Sequence, residues 1–104
     1  MSADKKKIRK QFREVCLTRD NYQCRVCSNK PSTELLDVHH ITDRKEMPNG
    51  GYVKENGITL CPGCHQKAEV FHASGKEKFE EGYHPDDLYV LISSGYEQAI
   101  NADK

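Results

Sequence analysis

The sequence contains few apolar residues and no long apolar run. Of its 104 residues, 36% are hydrophobic, and the mean hydropathy is −0.85. No run approaches the roughly 20 apolar residues of a transmembrane helix, so we expect no membrane contact. The length predicts a single domain, residues 1–104, with a small core. Domains with so small a core often depend on a disulfide or a bound metal.

The N-terminal segment, MSADKKKIRKQF, lacks the apolar stretch of a secretory signal. We therefore expect a cytoplasmic protein whose thiols stay reduced. In such a compartment, closely spaced cysteines more often bind metal than form disulfides.

The total charge also gives no indication of a partner, because 16 Lys/Arg balance 16 Asp/Glu. The distribution is uneven. Residues 1–25 hold eight bases and three acids, a net charge of +5, whereas residues 66–104 have a net charge of −4. The basic segment could bind a phosphate backbone or could be only a solvated helix face, which charge alone slightly favours. The candidate phosphate contacts are Lys5, Lys6, Lys7, Arg9, Lys10 and Arg13.

Four of the five cysteines form two C-x-x-C pairs, Cys24/Cys27 and Cys61/Cys64. Two such pairs supply the four thiolates that hold Zn²⁺ in structural sites, so the sequence predicts one structural zinc. With His65, the second pair also matches the attachment sequence of c-type haem. Haem would leave the first pair unexplained, which favours zinc.

Hydrophobic spacing predicts a helix over residues 5–19, with a basic outer face. Its apolar stripe comprises Ile8, Phe12, Val15 and Cys16. Cys16 has no C-x-x partner and is interpreted as a buried small side chain.

Two short apolar segments, residues 35–41 and 58–60, predict strands. The polar segment between them contains PNGG and cannot be regular throughout. Pro62 suits the first turn of a helix that begins in CPGCHQ. A further helix is expected near residues 85–100, although Gly95 weakens its middle.

The ordered motifs CRVC, DVHHI, ENGITL and CPGCH resemble the HNH nuclease family, also called the ββα-metal or His-Me finger fold. The similarity covers residues 24 to about 69, and the two C-x-x-C pairs resemble those of phage and homing-type HNH proteins. The resemblance implies an α+β fold in which two short antiparallel strands and a helix are stapled by the four-cysteine zinc. A basic N-terminal helix (residues 1–20), a ββα core (24–72) and a C-terminal helical extension (73–104) are expected.

The resemblance also implies the roles of the site residues. His40 would be the general base, His39 and His65 the ligands of a catalytic metal, and Asn56 would hold the loop that orients the base. Many relatives carry histidine four residues after the last ligand. Here that position is Glu69, which is a candidate third ligand.

The implied activity is hydrolysis of DNA with Mg²⁺ or Mn²⁺, in the host cytoplasm for a phage protein. Because imidazole ligands also suit transition metals, Ni²⁺, Co²⁺ or Zn²⁺ could serve. Specificity would come from the chain's own basic helix or loop, a homodimer or a partner protein. An RNA target and a non-catalytic zinc module that binds nucleic acid or protein remain as alternatives.

Two geometric expectations accompany these roles. In a regular strand His39 and His40 point to opposite faces, so the strand must end or bulge at this pair for both to serve one phosphate. His72, seven residues after His65, is interpreted as a surface residue.

Overall fold

The computed structural model describes residues 2–104, in which four helices and a two-stranded antiparallel sheet form an α+β fold. The elements are α1 (Ser2–Arg19), β1 (Asp37–His40), β2 (Gly57–Leu60), α2 (Pro62–Ala73), α3 (Pro85–Leu91) and α4 (Tyr96–Ala102). The expected fold class is confirmed: a strand pair followed by a helix, with further helices on both sides. No helix among residues 2–104 combines the length and apolarity that crossing a membrane would require.

The sheet is short and regular. His39 lies opposite Ile58, and His40 lies opposite Gly57. All four residues of β2 are buried. Strand β1 ends at His40 without a bulge. Of the two expected geometries at the histidine pair, a bulge or the end of the strand, the structure therefore has the second.

Helix α1 packs on the sheet through only part of its predicted stripe. Phe12 and Cys16 are buried, whereas Ile8 and Val15 are 44% and 42% exposed, so that part of the prediction was wrong. The contact point is Gly57, where an added Cβ would lie 2.6 Å from both Cys16 Sγ and Phe12 Cζ. The missing side chain at this position lets α1 approach β2.

Polar contacts fix both the middle and the end of α1. The guanidinium of Arg13 donates to the carbonyl oxygens of Leu36 (2.7 Å) and Thr33 (2.9 Å). At the helix end, the buried carboxylate of Asp20 accepts from the backbone N–H of Thr59 at 3.0 Å. Arg13 therefore anchors the segment before β1, and Asp20 anchors β2.

The C-terminal segment contains two helices, so the single helix expected near residues 85–100 was wrong. The chain turns between α3 and α4, where Ser93 has a φ of 56°. The turn lets both helices contribute to the core, to which α3 supplies Leu88 and Tyr89 and α4 supplies Ala99.

The four paired cysteines form one cluster. Their sulfur atoms all lie within 4.8 Å of one another, and Cys27 Sγ is 3.6 Å from Cys61 Sγ. A tetrahedral Zn²⁺ with Zn–S bonds near 2.3 Å separates neighbouring sulfurs by about 3.8 Å. The thiols therefore fit the ion. The cluster could hold a structural metal such as zinc.

The thiols of the cluster differ among themselves, since burial raises the pKa of Cys64 to about 12. Burial raises the pKa of Cys24, but backbone N–H groups beginning with that of Cys27 outweigh it and lower the pKa to about 7. Tyr83 donates its hydroxyl to Cys64 Sγ at 3.3 Å. Cys16 is fully buried between α1 and β2, and burial raises its pKa to about 12. The interpretation of Cys16 as a packed side chain is confirmed.

Replacement of Cys61 by Ala should abolish zinc retention and leave most of the chain unfolded. Zinc binding contributes on the order of 10 kcal/mol to such folds, which is comparable with the total stability of a domain. Metal analysis and far-UV circular dichroism measure both effects. The matched control is Cys16→Ala, which removes a thiol outside the cluster and should keep the zinc. A folded Cys61→Ala protein with an unchanged melting temperature would contradict the structural zinc.

Candidate metal centre and histidine cleft

A cleft of about 570 Å³, here called the histidine cleft, lies between α1, β1, α2 and the loop after β1. It is lined by three of the four predicted catalytic residues, His39, His40 and His65, and by Glu69. Asn56 does not line it, because its side chain is fully buried behind the loop. Three expected functional residues and the candidate third ligand therefore share one open site.

Glu69 joins the two histidines that were expected to bind metal. Its Oε1 is 3.2 Å from His39 Nδ1 and 3.0 Å from His65 Nε2. One atom from each residue lies within 4.8 Å of the other two. The placement follows from the helix: residues four apart lie on the same face, so His65 and Glu69 of α2 both face β1.

This donor set fits a divalent cation. Metal bonds of 2.0–2.2 Å place neighbouring ligand atoms about 3.0–3.4 Å apart, which matches both contacts of Glu69. Burial lowers the pKa of His39, and a hydrogen bond from His39 lowers the pKa of Glu69 to about 2. A neutral imidazole and an ionised carboxylate are the forms that bind metals.

Asp37 holds the other nitrogen of His65, with Asp37 Oδ2 at 3.2 Å from His65 Nδ1. A carboxylate in this position accepts the Nδ1–H and leaves Nε2 free to bind a metal. Sequence reasoning missed this residue. The available signal was strand alternation, because Asp37 and His39 are two residues apart and share one face of β1.

His72 is half-buried, so the interpretation as a surface residue was wrong. Its ring stacks on His39 with centroids 5.2 Å apart, and its Nε2 lies 3.0 Å from the carbonyl oxygen of His40. Position i+7 from His65 places it on the inner face of α2, where it packs against the end of β1.

His40 faces the other side of β1, against α1. Its ring lies 4.7 Å from that of Phe12 and 4.9 Å from that of Tyr52, measured between centroids. Among the described residues, its buried Nε2 has no hydrogen-bond partner. Burial, with smaller contributions beginning with Arg44, lowers the pKa of His40 to about 4. The ring is therefore neutral at physiological pH, and with Nε2 enclosed, Nδ1 is the nitrogen that can accept a proton.

Asn56 clamps the ends of the loop between the strands. Its Oδ1 accepts from the backbone N–H of Thr42 at 2.9 Å, and its Nδ2 donates to the carbonyls of Thr42 (3.1 Å) and Gly51 (3.3 Å). Tyr89 of α3 donates to the same Oδ1 at 2.7 Å and lies 2.6 Å from Thr42 Oγ1. Nothing near Tyr89 in the sequence indicates this contact, because its partners are 33 and 47 residues away.

Part of the chain matches a known family. Residues 24–71 match the family model described as HNH endonuclease, a segment that contains both cysteine pairs, both strands and most of α2. No curated protein and no solved structure matches the chain significantly.

Replacement of Asp37 by Asn should weaken divalent-cation binding at His39, His65 and Glu69 by about 10- to 100-fold, because the amide no longer fixes the tautomer of His65. Calorimetric titration with Mn²⁺ or Ni²⁺ measures the change. Asp43→Asn is the control, since Asp43 lines the same cleft but makes no hydrogen bond to the three candidate ligands within residues 2–104. Equal losses in the two variants would show that only net charge matters.

Replacement of Asn56 by Asp should lower the free energy of unfolding by about 3 kcal/mol or more. A carboxylate oxygen would then face the two carbonyls that Nδ2 now satisfies, at a site closed to water. Tyr89→Phe removes one donor and should cost about 1 kcal/mol. Urea denaturation measures both. An Asn56→Asp variant as stable as the parent would contradict the clamp.

Proposed function

We propose, on the premise that residues 24–71 belong to the HNH endonuclease family, that the chain is a metal-dependent endonuclease that hydrolyses phosphodiester bonds of DNA. One observation supports this most strongly. The donor atoms of His39, His65 and Glu69 converge on one side of β1, and the neutral His40 lines the same cleft from the other side of the strand. Phosphodiester hydrolysis requires a bound cation and a proton acceptor side by side.

Each side chain has a separate task in this proposal. His39 and His65 hold the catalytic cation, with Glu69 as the third ligand. A divalent ion bound there supplies a Lewis acid for the phosphate and stabilises the negative charge of the leaving oxygen. His40 accepts the proton of the attacking water. Asn56 holds the loop that starts beside His40, and so acts as a positioning residue.

The donor set bears on the choice of metal. One carboxylate supports Mg²⁺ or Mn²⁺, and two imidazoles extend the range to Ni²⁺, Co²⁺ or Zn²⁺. The four-cysteine cluster is proposed to keep its own structural zinc. Because the ligands of this zinc are thiols, we expect that a metal added to the histidine cleft will not displace it.

The oligomeric state, the partners and the location of the protein stay predictions. A single cleft of this kind cuts one strand, so cutting of both strands would need a homodimer or two separate events. Sequence specificity could also come from a partner protein. The cytoplasmic location expected from the sequence likewise stays a prediction.

Replacement of His40 by Ala should reduce nicking of supercoiled plasmid by about 10² to 10⁴, as expected for loss of a general base. The variant should still bind Mn²⁺ at the histidine cleft. His39→Ala and His65→Ala should instead lose Mn²⁺ affinity, and part of their activity should return at high Mn²⁺. Plasmid nicking and calorimetric titration, run in parallel, separate the two roles.

The control is His84→Ala, because His84 caps α3 and lines no part of the histidine cleft. It should nick DNA like the parent. If His40→Ala lost the metal while His39→Ala kept it, the two roles would be exchanged. If a zinc-loaded parent protein cut neither DNA nor RNA with any of these metals, the function would be that of a non-catalytic zinc module.

A further inference from the structure

The basic residues of α1 are not equivalent in the structure. Both guanidinium amino groups of Arg13 are bound to carbonyl oxygens, and Arg19 is paired with Asp20. Neither is free to hold an external anion without breaking a contact of the fold. Lys5 and Arg9 lie on the same side of α1 as Arg13, two turns and one turn closer to its N-terminus, and line a groove. The N-terminal charge thus divides into a structural part and an accessible part.

The groove has a volume of about 630 Å³ and lies between α1 and the loop after β1. Its cations are Lys5, Arg9, Arg44 and Lys45. It shares Arg9, Asp43, Arg44 and Tyr52 with the histidine cleft. The two cavities therefore adjoin along α1 and the loop after β1.

The charge of the groove is uncompensated. Four cations face one carboxylate, that of Asp43. None of the four forms an ion pair within residues 2–104, in contrast to the nearby Lys76, which is paired with Glu46. Cations left free along a groove are the feature that binds a phosphate backbone.

Tyr52 marks the junction of the two cavities. Its hydroxyl accepts from Arg44 Nη1 at 2.9 Å. Burial raises the pKa of Tyr52, but the hydrogen bond from Arg44 and the nearby positive charge of Arg9 outweigh burial and lower it. The phenol thus holds Arg44 close to the ring of His40, against which Tyr52 also packs, and Arg9 lines both cavities beside it.

We propose that this groove, lined by Lys5, Arg9, Arg44 and Lys45, binds the phosphodiester backbone on one side of the bond to be cut. The DNA strand then runs from the histidine cleft past Tyr52 and along α1. This rests on the proposed nuclease function. It narrows the expected contacts of the N-terminal helix: Lys6 and Lys10 line neither cavity, and Arg13 is held by the fold.

The helix provides a matched pair of variants. Lys5→Gln/Arg9→Gln and Lys6→Gln/Lys10→Gln each remove two charges, four residues apart, from the same helix. The second pair is rotated by about 100° from the first, because an α-helix has 3.6 residues per turn. Bulk electrostatics therefore change equally, and only the position of the charge differs.

Binding of a short fluorescein-labelled DNA duplex, measured by anisotropy without divalent cation over a series of salt concentrations, tests the proposal without cleavage. Lys5→Gln/Arg9→Gln should weaken binding at least about tenfold and reduce the slope of log K against log salt by up to about 1.8, for two lost phosphate contacts. Lys6→Gln/Lys10→Gln should change affinity less than about threefold. Circular dichroism and zinc content should be unchanged in both.

The proposed role of the groove would be contradicted by equal losses of DNA affinity in the two variants, by no loss in either, or by no DNA binding by the parent. Preferential, groove-dependent binding of an RNA of the same sequence would overturn the choice of DNA. Plasmid nicking by the same preparations keeps the two proposals apart. Groove-dependent binding without nicking by the parent would refute the nuclease and leave the groove, whereas nicking with equal binding losses would refute the groove alone.

Discussion

The junction between β2 and α2 is the constraint on which both ligand clusters depend. Cys61 follows the last residue of β2 directly, and Cys64 faces inward in the first turn of α2. His65 is the next residue, about 100° further around the helix, and faces the cleft. A shift of α2 relative to the sheet would therefore displace thiol and imidazole donors together. Because the core is small, a metal at the cysteines would supply much of the energy that fixes this position.

The scaffold of the cleft extends beyond the segment that matches the family. Tyr89 of α3 completes the hydrogen bonds of Asn56. Asp103, after α4, accepts from the backbone N–H groups of Asn49 (2.7 Å) and Gly51 (3.0 Å). Gly51 is confined as well, since an added Cβ would lie 2.6 Å from Asn56 Nδ2. The polar segment between the strands is thus held by Tyr89 of α3 and by Asp103 after α4, and these hydrogen bonds supply contacts that its few apolar residues do not.

The features that sequence could predict are those carried by local spacing. Cys24 and Cys27 are two halves of one tight turn, and strand and helix periods place His39 and His65 without knowledge of the rest of the fold. The missed features come from contacts distant in sequence. The stripe of α1 gave equal weight to Phe12 and Val15, but the two-stranded sheet is too narrow to cover both. The packing of His72 on His39 could not be predicted from the helix alone either, because it depends on where β1 ends.

The regular geometry of β1 gives the cleft its electrostatic division. Alternation sends Asp37 and His39 to the face covered by α2, where Glu69 adds a second carboxylate, and this face attracts a cation. It sends His40 to the face covered by α1, where Arg9 and Arg44 attract an anion. A bulge at the histidine pair would have put both rings on one face and mixed the two environments. A strand that ends at His40 keeps the two environments apart by the thickness of one backbone. A phosphate in the cleft would therefore meet a cation site on one side and a neutral imidazole flanked by guanidinium groups on the other.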